Sequence, residues 1–313
     1  MNRRQFIVGT GLVLPSMGSA LPLNPSTDPF IIVLGTAQDG GYPQAGCKKD
    51  CCKGAWGDAT RRRDVASLGI IDPASAQRWF IECTPSFPRQ LRRLDEVDPR
   101  LAGKINGVLL THAHIGHYAG LIHLGREVIG ANGVPVYAMP RMEKFLRTQG
   151  PWSQLVTLKN IELQPMRDGR AFALNKRLRV TPFLVPHRDE FSETVGFKIE
   201  GPRQKILWLP DIDKWEKWKT PLEKALASVD VAYLDGTFFA NGELSGRDMS
   251  KIPHPFITET MRRLKDQPAA VHAKVRFIHL NHTNPAHDSH GAAARKIHNA
   301  GMRVAQQGER VEL

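Results

Sequence analysis

The chain has 313 residues, 43 Lys+Arg against 31 Asp+Glu for a formal net charge of +12, and 41% hydrophobic, 24% charged and 7% aromatic residues. That apolar share excludes intrinsic disorder, and the 27 Gly and 22 Pro follow no fixed period, which excludes collagen-like and coiled-coil classes. No run approaches the ~20 apolar residues that span a bilayer, so stable membrane insertion is not expected.

Residues 1–20 open on the pair Arg3 and Arg4, continue through an apolar stretch from Phe6 to Leu14, and end on Gly18, Ser19 and Ala20. A basic start, an apolar stretch and a small-residue end make a removable export signal. The arginine pair followed by Gln5, Phe6 and Ile7 resembles the twin-arginine type. The expected partner is therefore the twin-arginine export machinery, and the expected location is periplasmic or secreted. Strand-like runs then recur at 30–34, 67–71, 78–83, 105–110, 179–185, 194–199, 205–209, 229–234 and 275–280. Helical patterns occupy 85–96, 117–129, 142–149, 214–227, 255–264 and 292–300. No linker or internal repeat interrupts 21–313, which reads as one α/β domain, a mixed sheet covered by helices. Basic residues such as Arg61, Arg62 and Arg63 are scattered and not interleaved with aromatics, so the positive charge points to a small anionic substrate and not to nucleic acid.

The run INGVLL leads directly into THAHIGHYAG, which places His112, His114 and His117 where an apolar strand ends and a helix begins. Neutral imidazole is the commonest transition-metal ligand. On a loop, His-x-His lets two rings converge on one ion while a third reaches a neighbouring position. The segment resembles the His-x-His-x-Asp-His signature of the metallo-β-lactamase fold superfamily. That resemblance implies a four-layer αβ/βα sandwich with one or two metal ions at the sheet edge. It also implies that His187, after RVTPFLV, joins His112 and His114, and that Asp211, after KILWL, bridges two ions. His279, after VRFI, or His282 three residues further on, would be the last ligand. Gly116 stands where the signature has Asp, leaving His117, Asp211 and one of His279 and His282 for the second ion. If that position is vacant for want of a carboxylate, Gly116→Asp is expected to raise the metal content.

Five further segments, VLGTAQDGGYPQAGC, FIECTPSFPRQL, VPHRDEFSETVGF, YLDGTFF and HLNHTNP, resemble the pyrroloquinoline quinone biosynthesis protein B group over residues 30 to about 310. Within that group YLDGTFF puts Asp235 at a strand end near the active site, and KIPHP resembles a segment that brings a histidine, here His254, to the substrate or behind a ligand. His254 reads either as a general acid or as a loop histidine. Arg188 beside His187 reads either as a grip on an anionic substrate or as an exposed charge. Cys47, Cys51 and Cys52 lie within six residues among Lys48, Lys49 and Lys53, whereas Cys83 is alone. A structural zinc is implied by the group, while a disulfide and free thiols stay open; sequence does not name a fourth ligand.

The expected activity is hydrolysis of a small anionic ester, phosphodiester or lactone by metal-activated water, with Asp211 handling the water proton. The expected cofactors are one or two catalytic zinc ions and one structural zinc. The alternative is a non-haem iron oxygenase, or an accessory protein, in pyrroloquinoline quinone metabolism, with iron in the catalytic site. A periplasmic carrier of a small cofactor is the non-enzymatic reading.

Overall fold

The computed structural model describes residues 27–313, so the export-signal expectation for 1–20 lies outside the described residues. In chain order the strands are β1 (Phe30–Gly35), β2 (Ser67–Asp72), β3 (Gln77–Ile81), β4 (Val108–Leu109), β5 (Val134–Ala138), β6 (Ile161–Pro165) and β7 (Phe172–Ala173). They continue as β8 (Arg179–Leu184), β9 (Val195–Glu200), β10 (Lys205–Leu209), β11 (Val231–Asp235), β12 (Val275–Ile278), β13 (Arg303–Val304) and β14 (Arg310–Glu312). Two seven-stranded sheets result, ordered β14-β1-β2-β3-β4-β5-β6 and β13-β12-β11-β10-β9-β8-β7. The helices nearest the site are α1 (Asp50–Gly57), α2 (Phe87–Val97) and α3 (Ile115–Tyr118).

β1 and β2 are buried at every position. Side chains alternate along a strand, so a continuous apolar run marks a strand covered on both faces. Ile31, Val33, Leu68, Ile70 and Trp79 meet Val195, Phe197, Ile199, Trp208 and Tyr233 of the second sheet in the central core. The alternate residues Phe30, Ile32, Leu34 and Phe80 pack with Phe87, Leu94, Leu121 and Leu146 of the helical layer. On the far side Leu207, Leu209, Leu234 and Phe277 pack with Leu222, Leu226, Ile257 and Ile297. The layers therefore run helix, sheet, sheet, helix, the expected αβ/βα sandwich. No helix among the described residues is long and apolar enough to cross a membrane.

Two expected helices are shorter than their patterns. Residues 214–227 divide into a 3₁₀ turn (Trp215–Lys217) and a helix (Leu222–Ala227), because Pro221 has no N–H to donate and cannot continue a turn from the residues before it. Residues 117–129 hold helical form only through Leu124, as α3 and a 3₁₀ segment.

Strand direction assembles the site. β1 is antiparallel to β2 and β2 to β3, so β1 runs with β3, which is parallel to β4. In the second sheet β8 and β10 are both antiparallel to β9, and β10, β11 and β12 are mutually parallel.

Candidate metal centre

Asp39 lies beyond the end of β1, Glu82 follows β3, the 112–117 loop follows β4, and His187 lies beyond β8. Asp211 lies beyond β10, Asp235 ends β11, and His279 follows β12. Seven strand ends of common direction thus deliver short polar loops to one edge of the sandwich.

Asp211 is the centre of the group. Its Oδ2 lies 3.3 Å from His112 Nε2, 3.6 Å from His117 Nε2 and 3.9 Å from His279 Nε2. Its Oδ1 lies 3.3 Å from His187 Nε2 and 3.2 Å from His254 Nδ1. Around it the potential ligand atoms form three sets, each within 4.8 Å: His112, His114, His187 and Asp211; Asp39, His117 and His279; and Asp211, Asp235 and His254. Sequence-expected residues are therefore brought together with one exception. His282, weighed against His279 for the last position, lies instead with Cys47, Cys51 and Cys52. The chain turns sharply at His279, whose φ is +65°, so residues three apart face different centres.

The structure adds two carboxylates that sequence reasoning passed over. Asp39 Oδ1 is 3.3 Å from His117 Nε2 and 3.6 Å from His279 Nε2. Glu82, fully buried with a left-handed φ of +71°, places Oε1 3.3 Å from His117 Nδ1 and accepts the Thr111 N–H on Oε2. A carboxylate behind a ligating imidazole fixes the ring and its tautomer. At the rim, His114 Nε2 is 2.9 Å from Glu190 Oε2, and Glu190 Oε1 is 3.8 Å from half-exposed Arg188. Asp235 accepts the Ile212 and Thr237 N–H groups and lies 2.8 Å from His254 Nδ1, so His254 is clamped between Asp235 and Asp211.

The donors fit a cation. Asp39 Oδ1, His117 Nε2, both His187 ring nitrogens, Asp211 Oδ1 and His279 Nε2 are buried without a hydrogen-bond partner among the described residues. Each such atom costs about 1–3 kcal/mol if nothing satisfies it. A tetrahedral ion with 2.0–2.1 Å bonds needs donors about 3.4 Å apart, close to the spacings around Asp211 and Asp39. Burial, and next the His117 charge, hold His112 well below the usual histidine range; burial brings His187 down to about 4. Both rings are therefore neutral at pH 7, the form that ligates. Burial opposes charge on Asp211, yet His187, His254 and His279 keep its carboxyl well below the usual range. Burial also opposes charge on His254, but Asp235 and Asp211 push it up to about 9.

The cysteine cluster gains its fourth member in His282, whose Nδ1 is buried and has no hydrogen-bond partner among the described residues. Cys47 and Cys51 sulfurs are 3.7 Å apart and all four cysteines are free, so no disulfide bridges the described residues. Tetrahedral Zn–S bonds of 2.3 Å put sulfurs about 3.8 Å apart. Burial, followed by the neighbouring sulfurs, pushes the Cys52 thiol up to about 12, so without a cation among the sulfurs it stays a neutral thiol.

A family described as "Beta-lactamase superfamily domain" matches residues 77–279, a span that leaves Asp39, the three clustered cysteines and His282 outside. Coenzyme PQQ synthesis protein B of Xanthomonas campestris pv. campestris is 28% identical over 313 residues, covering 90% of this chain and 99% of that protein. The crystal structure of zinc-bound PqqB from Methylobacterium extorquens superposes with a TM-score of 0.75 at 21% identity, over 91% of this chain and 100% of that one. A diphosphatase of the PhnP family superposes with a TM-score of 0.66 at 20% identity, over 91% and 97%. The fold, the span of the match and the histidine loop at its edge lead to one assignment: the chain belongs to the beta-lactamase superfamily.

Proposed function

We propose that this protein is a metal-dependent hydrolase of a small anionic ester, with phosphodiesters as the first class to test and lactones and carboxylic esters next. The observation that carries this reading is Asp211, whose carboxylate lies between the two sets, with Oδ1 3.3 Å from His187 and Oδ2 3.3, 3.6 and 3.9 Å from His112, His117 and His279. Ions held by His112, His114, His187 and Asp211 on one side, and by Asp39, His117 and His279 on the other, would supply water acidified toward neutral pH and a Lewis acid for the scissile group. The chain's own groups do the rest. Asp211 orients the water and accepts its proton. His254, held by Asp235, carries a proton at the pH of the reaction and is placed to give it to a leaving oxygen. Arg188 at the rim attracts the anion. The superposition on a PhnP-family diphosphatase is in keeping with hydrolysis at a phosphoryl group. We further propose that residues 1–20 direct export by the twin-arginine route, which carries folded chains and suits a protein that acquires its ions before leaving the cytoplasm.

A second reading is iron-dependent oxidation in pyrroloquinoline quinone metabolism, favoured by 28% identity to coenzyme PQQ synthesis protein B over 90% of the chain. Elemental analysis of protein purified without chelators separates the two. About three zinc ions per chain, with turnover of an aryl phosphodiester that a chelator removes, is the expected result. Iron in the histidine site, with oxygen consumption on a quinone precursor and no ester turnover, would replace hydrolysis by the second reading.

A further inference from the structure

We propose that Asp39 is the carboxylate of the second metal position, supplied from the loop after β1 in place of the residue at 116. The inference deepens the hydrolase reading, since it rests on the same centre being a metal site. Its first support is steric. A Cβ on Gly116 would stand 2.5 Å from Asp39 Cα and 2.7 Å from its Cγ, and would overlap Oδ1 outright. The volume that a side chain at 116 would fill is thus occupied by Asp39, backbone included, and a rotamer change alone does not clear it. The condition attached to Gly116→Asp, a position vacant for want of a carboxylate, is therefore not met in this reading, because a carboxylate already stands there from another loop.

The second support is geometric. Asp39 Oδ1, His117 Nε2 and His279 Nε2 are all buried without hydrogen-bond partners among the described residues. With Asp211 Oδ2 they form four donors whose measured separations from Asp39 Oδ1 or Asp211 Oδ2 are 3.3, 3.6, 3.6 and 3.9 Å. These separations lie at or beyond the ~3.2 Å limit of ordinary N–H···O bonds and near the ~3.4 Å spacing of donors around one ion, and Asp39, His117 and His279 lie within 4.8 Å of one another.

The third support is the way the loop is held. Gln38 N–H donates to the Leu280 carbonyl at 2.8 Å, Leu280 N–H donates to Thr36 at 2.9 Å, and Asn281 Nδ2 donates to Gln38 Oε1 at 2.5 Å. Asp39 is thereby stitched to the segment that begins with His279, and the Gly41 N–H closes the turn onto the Gln38 carbonyl at 2.7 Å with φ +70°. Asp39 and His279, two of these four donors, are thus fixed relative to each other by backbone, as a preorganised site requires.

The test is zinc titration, with elemental analysis, of full-length protein stripped of its histidine-held ions. The variants are Asp39→Asn, Asp39→Ala, Gly116→Asp and the double exchange Asp39→Gly with Gly116→Asp. Loss of an orienting partner behind a ligand already costs 10–100-fold in affinity. Asp39→Ala should therefore weaken the second ion at least about tenfold and leave the first ion and the cysteine-bound ion in place. Asp39→Asn, which keeps the shape, should weaken it less. Gly116→Asp alone should gain no ion, and the double exchange should recover the second. Full stoichiometry and affinity in Asp39→Ala would overturn the proposal, as would an added ion in Gly116→Asp alone. Absence of any ion from the His112, His114 and His187 set in the unaltered protein would instead remove the metal-hydrolase reading itself.

Discussion

At the residue scale, Glu82 separates what a motif announces from what a site needs. It is fully buried, strained to a left-handed φ, and directed at the Nδ1 side of His117, the ring whose Nε2 faces Asp39 and Asp211. Strain of this kind costs on the order of 1–3 kcal/mol and persists where the surroundings impose it. Glu82→Gln should lower affinity for the second zinc by about 10–100-fold while leaving the melting temperature within a few degrees. Unchanged zinc affinity would mean that Glu82 only fills space. The clustering of His112, His114, His117, His187, His254 and His279 about Asp211 was legible in part, because most of these residues follow an apolar strand, as Asp211 does. Asp39 and Glu82 were not, since a lone carboxylate after a strand has no period or spacing to mark it. His282 was legible only as a competitor to His279, and its place beside Cys47, Cys51 and Cys52 was not, because only the turn at His279 separates the two destinations.

At the scale of elements, the nine apolar runs all carry strands, although 105–110 contributes only Val108 and Leu109. The five strands that sequence missed are those with mixed faces: β5 contains Pro135, β6 alternates buried and exposed residues and ends on Pro165, β7 and β13 have two residues each, and β14 is an edge. Helix placement depends on a detail of the same kind. Gly69 in β2 has no side chain because Leu94 of α2 lies against it; a Cβ there would meet Leu94 Cδ2 at 2.6 Å and Ile32 Cγ2 at 3.1 Å. Gly69→Ala should therefore destabilise by about 1–3 kcal/mol, measured by denaturant unfolding. Leu94→Ala opens a cavity and costs about 2–5 kcal/mol alone, but combined with Gly69→Ala the two penalties should sum to less than their separate values. Strict additivity would show that α2 and β2 do not compete for that space.

At the scale of the molecule, the first and last strands are neighbours. β14 pairs antiparallel with β1, Phe30 opposite Glu312 and Ile32 opposite Arg310, and the Leu313 N–H donates to the Pro29 carbonyl at 2.8 Å. Leu313 itself is buried in the central core. Removal of residues 310–313 should lower the melting temperature by several degrees and raise aggregation on refolding, because it bares one side of an apolar strand. A truncated chain with unchanged melting and solubility would make β14 dispensable. The pairing also sets a delay in biosynthesis. At about 5–20 residues per second the partner of β1 is made roughly 15–60 s after β1 itself. Through that interval the strand leading to Asp39 has an open edge, so the loop that bears this carboxylate settles late.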